Sequence, residues 1–170
     1  MRRSLTLMTL PIAAALLVCL MPVFNQADAS GPARRRTKVI TLERTACFGT
    51  CPMYSLAIYS DGVVEYEGLK FVKKVGKATG RISRTQLDDL VERFTNIYYF
   101  NFPDSIEPGS KSCPQPWTDM PSAITSLTWQ GRTKTVKHYY GCSGLSWIER
   151  LTDLEKEIDR AVNVKQWTGK

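Results

Sequence analysis

Four cysteines follow an export signal, and two of them stand in the tight run Cys47-Phe48-Gly49-Thr50-Cys51-Pro52. A chain sent into an oxidising compartment ends with its thiols paired, so these positions restrict the fold more than any apolar pattern does. The signal is read from three pieces. Met1-Arg2-Arg3-Ser4 is a short positive start, Leu5 to Phe24 is almost wholly apolar, and Asn25-Gln26-Ala27-Asp28-Ala29 carries the small-x-small pattern of a signal peptidase site. Residues 1–29 are therefore expected to be removed near Ala29, leaving a periplasmic or secreted chain that meets the membrane only transiently. The apolar run is close to the roughly 20 residues that span a bilayer, so a retained anchor is the competing reading. Pro11, Pro22 and the Ala27-x-Ala29 site favour cleavage. Cys19 lacks the small preceding residue that lipidation requires, because Val18 stands there.

Four mature cysteines allow three pairings. The favoured one joins Cys47 to Cys51 across a turn that Gly49 makes feasible, and Cys113 to Cys142 between a long connection and the end of a hairpin. Two alternatives compete. A zinc site would use Cys47-x3-Cys51 and His138-x3-Cys142 as ligand pairs, but the spacing is looser than the two-residue knuckle of most structural zinc sites. A thiol-disulfide exchanger places two residues between its cysteines at a helix N-terminus. Here three intervene, and Pro52-Met53-Tyr54 leads into a strand.

Alternation predicts a first strand over Thr37 to Glu43, with Ile40 and Leu42 on one face. Met53–Tyr59 and Val63–Glu67 flank Ser60-Asp61-Gly62, a hairpin signal. A two-residue loop would set Ile58 opposite Glu65, whereas a three-residue loop sets Ile58 opposite Val64 and Leu56 opposite Tyr66, with Gly62 at the left-handed position. The second builds a buried face and is preferred. Phe71, Val72 and Val75 read as extended up to Gly76, and Lys77 to Ile82 as a further strand. Ser83-Arg84-Thr85-Gln86 fits a capping box with Ile82 and Leu87 as its staple. Leu87, Leu90, Val91, Phe94 and Ile97 then follow at helical spacing. Tyr98 to Met120, rich in proline, reads as a long irregular connection pinned by Cys113. A second hairpin, Ala123–Trp129 and Arg132–Tyr139, turns near Gln130-Gly131, and Leu145, Ile148, Leu151, Leu154 and Ile158 mark a last helix.

This order defines an α+β fold, an antiparallel sheet of about five to six strands with two helices packed on one face and the other face partly wet. The domain layout is 1–29 signal peptide, 30–37 basic flexible leader, 38–163 a single α+β domain, and 164–170 a C-terminal tail. The net charge of +7 lies partly in Arg34-Arg35-Arg36-Lys38. No aromatic residue is interleaved there to stack on bases, so nucleic acid is not an expected partner.

Cys47-Phe48-Gly49-Thr50-Cys51-Pro52-x-Tyr54, then Asp61-Gly62, Thr118-Asp119 and Lys137-His138-Tyr139, resemble a bacterial family of secreted proteins known as domain of unknown function 6438. The resemblance runs from about Val39 to the terminal helix. It implies a secreted or envelope-attached domain and carries no catalytic residues with it.

Candidate chemistry has to be read from the residues themselves. His138 is the only histidine, so a general base of the usual kind would be that residue, oriented by Asp119, with Ser143 or Thr118 as nucleophile. No nucleophile elbow, zinc-protease helix or phosphate loop accompanies it. Trp117, Trp129, Trp147, Tyr139 and Tyr140 are candidates for a glycan or peptide groove, although Trp129 and Trp147 suit the core or its rim. The pairs Asp153 with Glu157 and Glu155 with Asp159 are placed on the solvated face of the last helix with Lys156 and Arg160. The reading is a non-enzymatic binding or structural module of the bacterial envelope, with no metal or cofactor, whose partner is an envelope protein, peptide or glycan. Alternatives are a hydrolase using His138 and Asp119, and a redox or stress sensor using Cys47 and Cys51.

Overall fold

The computed structural model describes residues 36–169. The expected signal peptide, Cys19 and most of the expected basic leader lie outside the described residues. Seven strands form one sheet: β1 (Lys38–Arg44), β2 (Met53–Tyr59), β3 (Val63–Lys70), β4 (Gly76–Arg81), β5 (Ser105–Ile106), β6 (Ser122–Trp129) and β7 (Arg132–Tyr139). Their order across the sheet is β4-β3-β2-β1-β6-β7-β5. Neighbours run antiparallel except β5, which is parallel to β7. The sheet is therefore mixed and longer than expected by the two-residue strand β5. A strand that short, just after Pro103, has no alternation to announce it.

Alternation sets the register. The loop between β2 and β3 places Ile58 opposite Val64 and Leu56 opposite Tyr66, as the three-residue loop requires. Gly62 takes φ +81°, a conformation that costs a glycine little. The second hairpin turns on Gln130 and Gly131, both at positive φ, which suits the right-handed twist of the flanking strands. One face of the sheet carries Ile40, Leu42, Leu56, Ile58, Val64, Tyr66, Leu127 and Val136, all buried. The other carries Thr41, Glu43, Ser55, Glu65, Glu67, Lys77 and Thr79 along a shallow, open trough.

Three helices, one more than expected, accompany the sheet: α1 (Arg84–Asn96) between β4 and β5, and α2 (Ser146–Ala161) and the short α3 (Lys165–Thr168) after β7. Helix α1 starts with the complete capping box, Ser83 Oγ accepting from the Gln86 amide at 3.1 Å and the Gln86 side chain accepting from the Ser83 amide at 2.9 Å. Such a cap is worth about 1 kcal/mol. Leu87, Leu90, Val91 and Phe94 from α1 and Ile148, Leu151, Leu154 and Ile158 from α2 join the sheet's inner face in one cluster. Each fully buried aliphatic or aromatic side chain contributes about 1.5–3 kcal/mol. Tyr99, in a 3-10 turn just after α1, meets Phe94 edge-on at 4.7 Å between centroids and donates its hydroxyl to the Thr125 carbonyl at 2.8 Å.

Three sequence expectations need correction. Residues 164–169 are no tail, because Val164, Trp167 and Thr168 are buried and the Trp167 indole stacks on Tyr66 at 4.8 Å. Arg36 and Thr37 are not free leader either. The Arg36 guanidinium meets Glu65 at 2.9 Å and lies over the Tyr59 ring, and the Thr37 carbonyl accepts from the Ser60 amide. Finally, residues 71–75 do not stay extended. Phe71 turns through φ +56°, so the chain bends out of β3 before it re-enters as β4.

Candidate functional site

The inner-face row nearest one end of the sheet breaks the apolar pattern. Register aligns Arg44 of β1 with Tyr54 of β2 on one side and Ala123 of β6 on the other, and Ala123 with His138 of β7. Alternation from Ile40 and Leu42 forces Arg44 inward. Helix α2 answers with two carboxylates one turn apart, Glu155 and Asp159. Glu155 is wholly buried, which reverses the expectation that it faces water, and the Asp159 side chain is 18% exposed. Glu155 lies four residues after Leu151 and three before Ile158, inside the apolar stripe itself.

These groups form one buried ionic cluster. Arg44 Nη2 donates to Asp159 at 2.7 Å, Nη1 donates to the Tyr140 hydroxyl, and Glu155 lies 3.9 Å from Nη1. The Tyr54 hydroxyl donates to the other Asp159 oxygen at 2.6 Å. His138 turns Nδ1 to Glu155 at 3.2 Å and Nε2 to the Cys142 carbonyl at 3.4 Å, and its ring meets Tyr140 in a T-shaped contact at 4.9 Å between centroids. Burial opposes the Arg44 charge, but Asp159, Tyr140, Tyr54 and Glu155 outweigh it, so its pKa is raised. Burial lifts the Tyr54 and Tyr140 phenols far above their ordinary value and keeps them protonated donors. Burial also raises the Asp159 carboxyl, against the pull of an Arg44 whose charge it shares with Glu155. The cluster ties β1, β2 and β7 to α2 and leaves no free nucleophile or base among its members.

Directly beyond this row lie the connections that carry the cysteines. Cys47 is bonded to Cys51 with Cα atoms 5.8 Å apart, and Cys113 to Cys142 at 5.1 Å. The first pair is half-buried in its turn and the second is sealed in the core. Hydrogen bonds stitch the connections together. The Phe48 amide donates to the Asp119 carbonyl at 3.1 Å, the Ser122 amide to Thr45 Oγ1 at 2.8 Å, the Trp117 amide to the Gly141 carbonyl at 2.9 Å, and the Met120 amide to the Tyr139 hydroxyl at 3.1 Å. On this held rim Phe48 is 88% exposed and Trp117 72%.

The candidate residues thus separate. Asp119, expected to orient His138, is exposed and bonds Thr118, while Glu155 takes the imidazole. Ser143 and Thr118 are exposed loop residues. Tyr139 and Tyr140 are half-buried, one hydroxyl holding the Met120 amide and the other the Arg44 guanidinium. Trp147 packs on Phe102 at 5.3 Å, and Trp129 sits at the opposite end of the sheet by the β6–β7 turn. Of the aromatic candidates, Trp117 is the one left open on the rim, and Phe48 joins it. No group of three or more His, Cys, Asp or Glu side chains is placed to hold a metal ion among the described residues, and no helix there is long and apolar enough to cross a membrane.

Fold and site together define a disulfide-framed α+β domain that presents loops at one end over a buried ionic cluster. The chain belongs to the family described as Domain of unknown function (DUF6438), whose model matches residues 38–162. No curated protein matches it. Of the motif residues, Cys47, Phe48, Cys51, Tyr54, Thr118, Asp119, His138 and Tyr139 fall on this rim or in the row beneath it, whereas Asp61 and Gly62 form the β2–β3 turn at the opposite end of the sheet.

Proposed function

We propose that this domain is an exported, non-enzymatic binding module of the bacterial envelope that takes a protein, peptide or glycan partner on its aromatic rim. The observation that carries the reading is that Phe48 and Trp117 stand open to solvent on connections already fixed by two disulfides and cross-loop hydrogen bonds. A large apolar ring on a pre-ordered loop binds without the ordering cost that a mobile loop incurs. The hydrolase reading loses support because His138 is 1% exposed with both ring nitrogens engaged. The redox reading loses support because Cys51 leads into a strand and not into a helix N-terminus that would stabilise a thiolate.

The test offers the exported protein purified peptidoglycan sacculi and, separately, a displayed library of random peptides. Retention on either one that falls at least about tenfold in the Phe48→Ala, Trp117→Ala double variant is the expected result. Binding unaffected by the double variant, or turnover of the glycan or peptide that His138→Gln abolishes, overturns the proposal.

A further inference from the structure

The connection between β3 and β4 is a second built surface at the same end of the sheet. From Gly68 to Leu87 the chain contains no Asp or Glu, while Lys70, Lys73, Lys74 and Lys77 all fall there. These four lysines are exposed, and none of them forms a salt bridge among the described residues. Between them stand Leu69, Phe71 and Val75, exposed by 51%, 39% and 63%. The Lys70 ammonium lies 4.8 Å from the Phe71 ring centroid.

The body of the domain holds this segment in shape. The Lys73 and Lys74 amides donate to the Thr168 and Trp167 carbonyls at 3.2 and 2.8 Å, and Tyr66 donates its hydroxyl to the Lys74 carbonyl at 3.3 Å. Gly68 lets this happen, because a Cβ there would stand 2.0 Å from the Lys74 oxygen. Phe71 keeps a left-handed backbone that bulky residues rarely adopt. Its ring is left partly in water, although a turn could be made by a small polar residue at less cost.

Lysines free of salt bridges, with a single carboxylate at their edge where Glu67 stands opposite Lys77, and interleaved with exposed aliphatic side chains, match one chemistry best, a surface that is anionic at its face and apolar just below it. We propose that the β3–β4 connection, with the strand ends that flank it, docks the domain onto an anionic phospholipid membrane, the lysines meeting headgroup phosphates and Leu69, Phe71 and Val75 entering the interface. Leu69 and Val75 are the residues that decide against nucleic acid, since neither stacks on a base. This contact belongs to the folded domain and is separate from the passage of a signal peptide. It does not depend on Phe48 and Trp117 having a partner.

The exported protein is sedimented with vesicles of phosphatidylethanolamine and phosphatidylglycerol, and with vesicles of phosphatidylcholine alone. Binding to the first, weakened by salt, and little to the second is expected. Each lysine near such a surface is worth about fivefold, so Lys73→Gln with Lys74→Gln should weaken binding by about 25-fold. Leu69→Ser with Val75→Ser should weaken it several-fold at every salt concentration with the salt dependence unchanged, and the Phe48→Ala, Trp117→Ala variant should bind as the parent does. All of these positions are exposed, and circular dichroism checks that each variant keeps the parent fold. Equal binding to both vesicles, no binding to the anionic ones at low salt, or undiminished binding by the lysine variant overturns the proposal. So does displacement of the vesicles by single-stranded DNA whose own binding ignores the Leu69 and Val75 changes.

Discussion

Replacing Arg44 with Met removes the single guanidinium shared by two carboxylates and a phenol. The methionine fills similar volume, so the loss is one of charge and hydrogen bonding. Glu155 has no exposure and Asp159 little, and neither gains water in exchange. Breaking a buried pair by taking away one partner costs about 3–5 kcal/mol, which is about a fifth or more of a typical domain's stability of roughly 5–15 kcal/mol. The comparison is Arg84→Met, which breaks an exposed pair with Asp88 at 3.0 Å on α1 and should cost no more than about 0.5 kcal/mol. Urea unfolding at neutral pH, with disulfides intact, measures both. Asp159→Asn gives the opposite contrast. Burial raises the folded pKa of Asp159, so its carboxyl contributes stability that is full below the unfolded value of about 4 and is lost as pH rises through the folded value. The Asn variant lacks that dependence, so the parent gains on it toward acid pH. If Arg44→Met costs less than about 1 kcal/mol, the cluster does not hold the loop end together and this reasoning fails.

Three further outcomes follow from the same structure. Tyr54, Tyr99 and Tyr140 have folded pKa values raised by burial, so their contribution to stability should hold up to about pH 10 and then fall by about 1.4 kcal/mol per pH unit for each phenol. Tyr54→Phe should remove one such share from the slope in alkaline urea titrations, and an unchanged slope would contradict it. The bridge between Cys113 and Cys142 spans 29 residues and should contribute about 3.6 kcal/mol by chain entropy, against about 2 kcal/mol for Cys47 and Cys51. Paired Cys→Ser variants compared by thermal unfolding should rank in that order. Trp167→Ala should cost about 3–5 kcal/mol, as for a buried aromatic, where a free tail would register nothing.

Much of this fold is legible wherever one local rule acts alone. Ile58 opposite Val64 follows from side-chain alternation across Ser60-Asp61-Gly62, and the start of α1 follows from the spacing of Ser83 and Gln86. The ionic row was legible in part. Alternation through Ile40 and Leu42 already points Arg44 inward, and the spacing of Leu151 and Ile158 already puts Glu155 in the buried stripe. Residue type misleads there, because a charged side chain on an amphipathic helix is normally solvated, and only the partner strands reveal Arg44, Tyr54 and His138 waiting opposite. Strand β5 and helix α3 are too short for periodicity to register. Their order comes from tertiary contact, Ile106 beside β7 and Trp167 against Tyr66.

The structure makes the four sulfurs ties that hold the loop end of the domain, and peptide mapping of the protein by mass spectrometry without reduction tests this most directly. It predicts Cys47 linked to Cys51 and Cys113 linked to Cys142, with no free thiol among the four. Free thiols, or any other pairing, would contradict it.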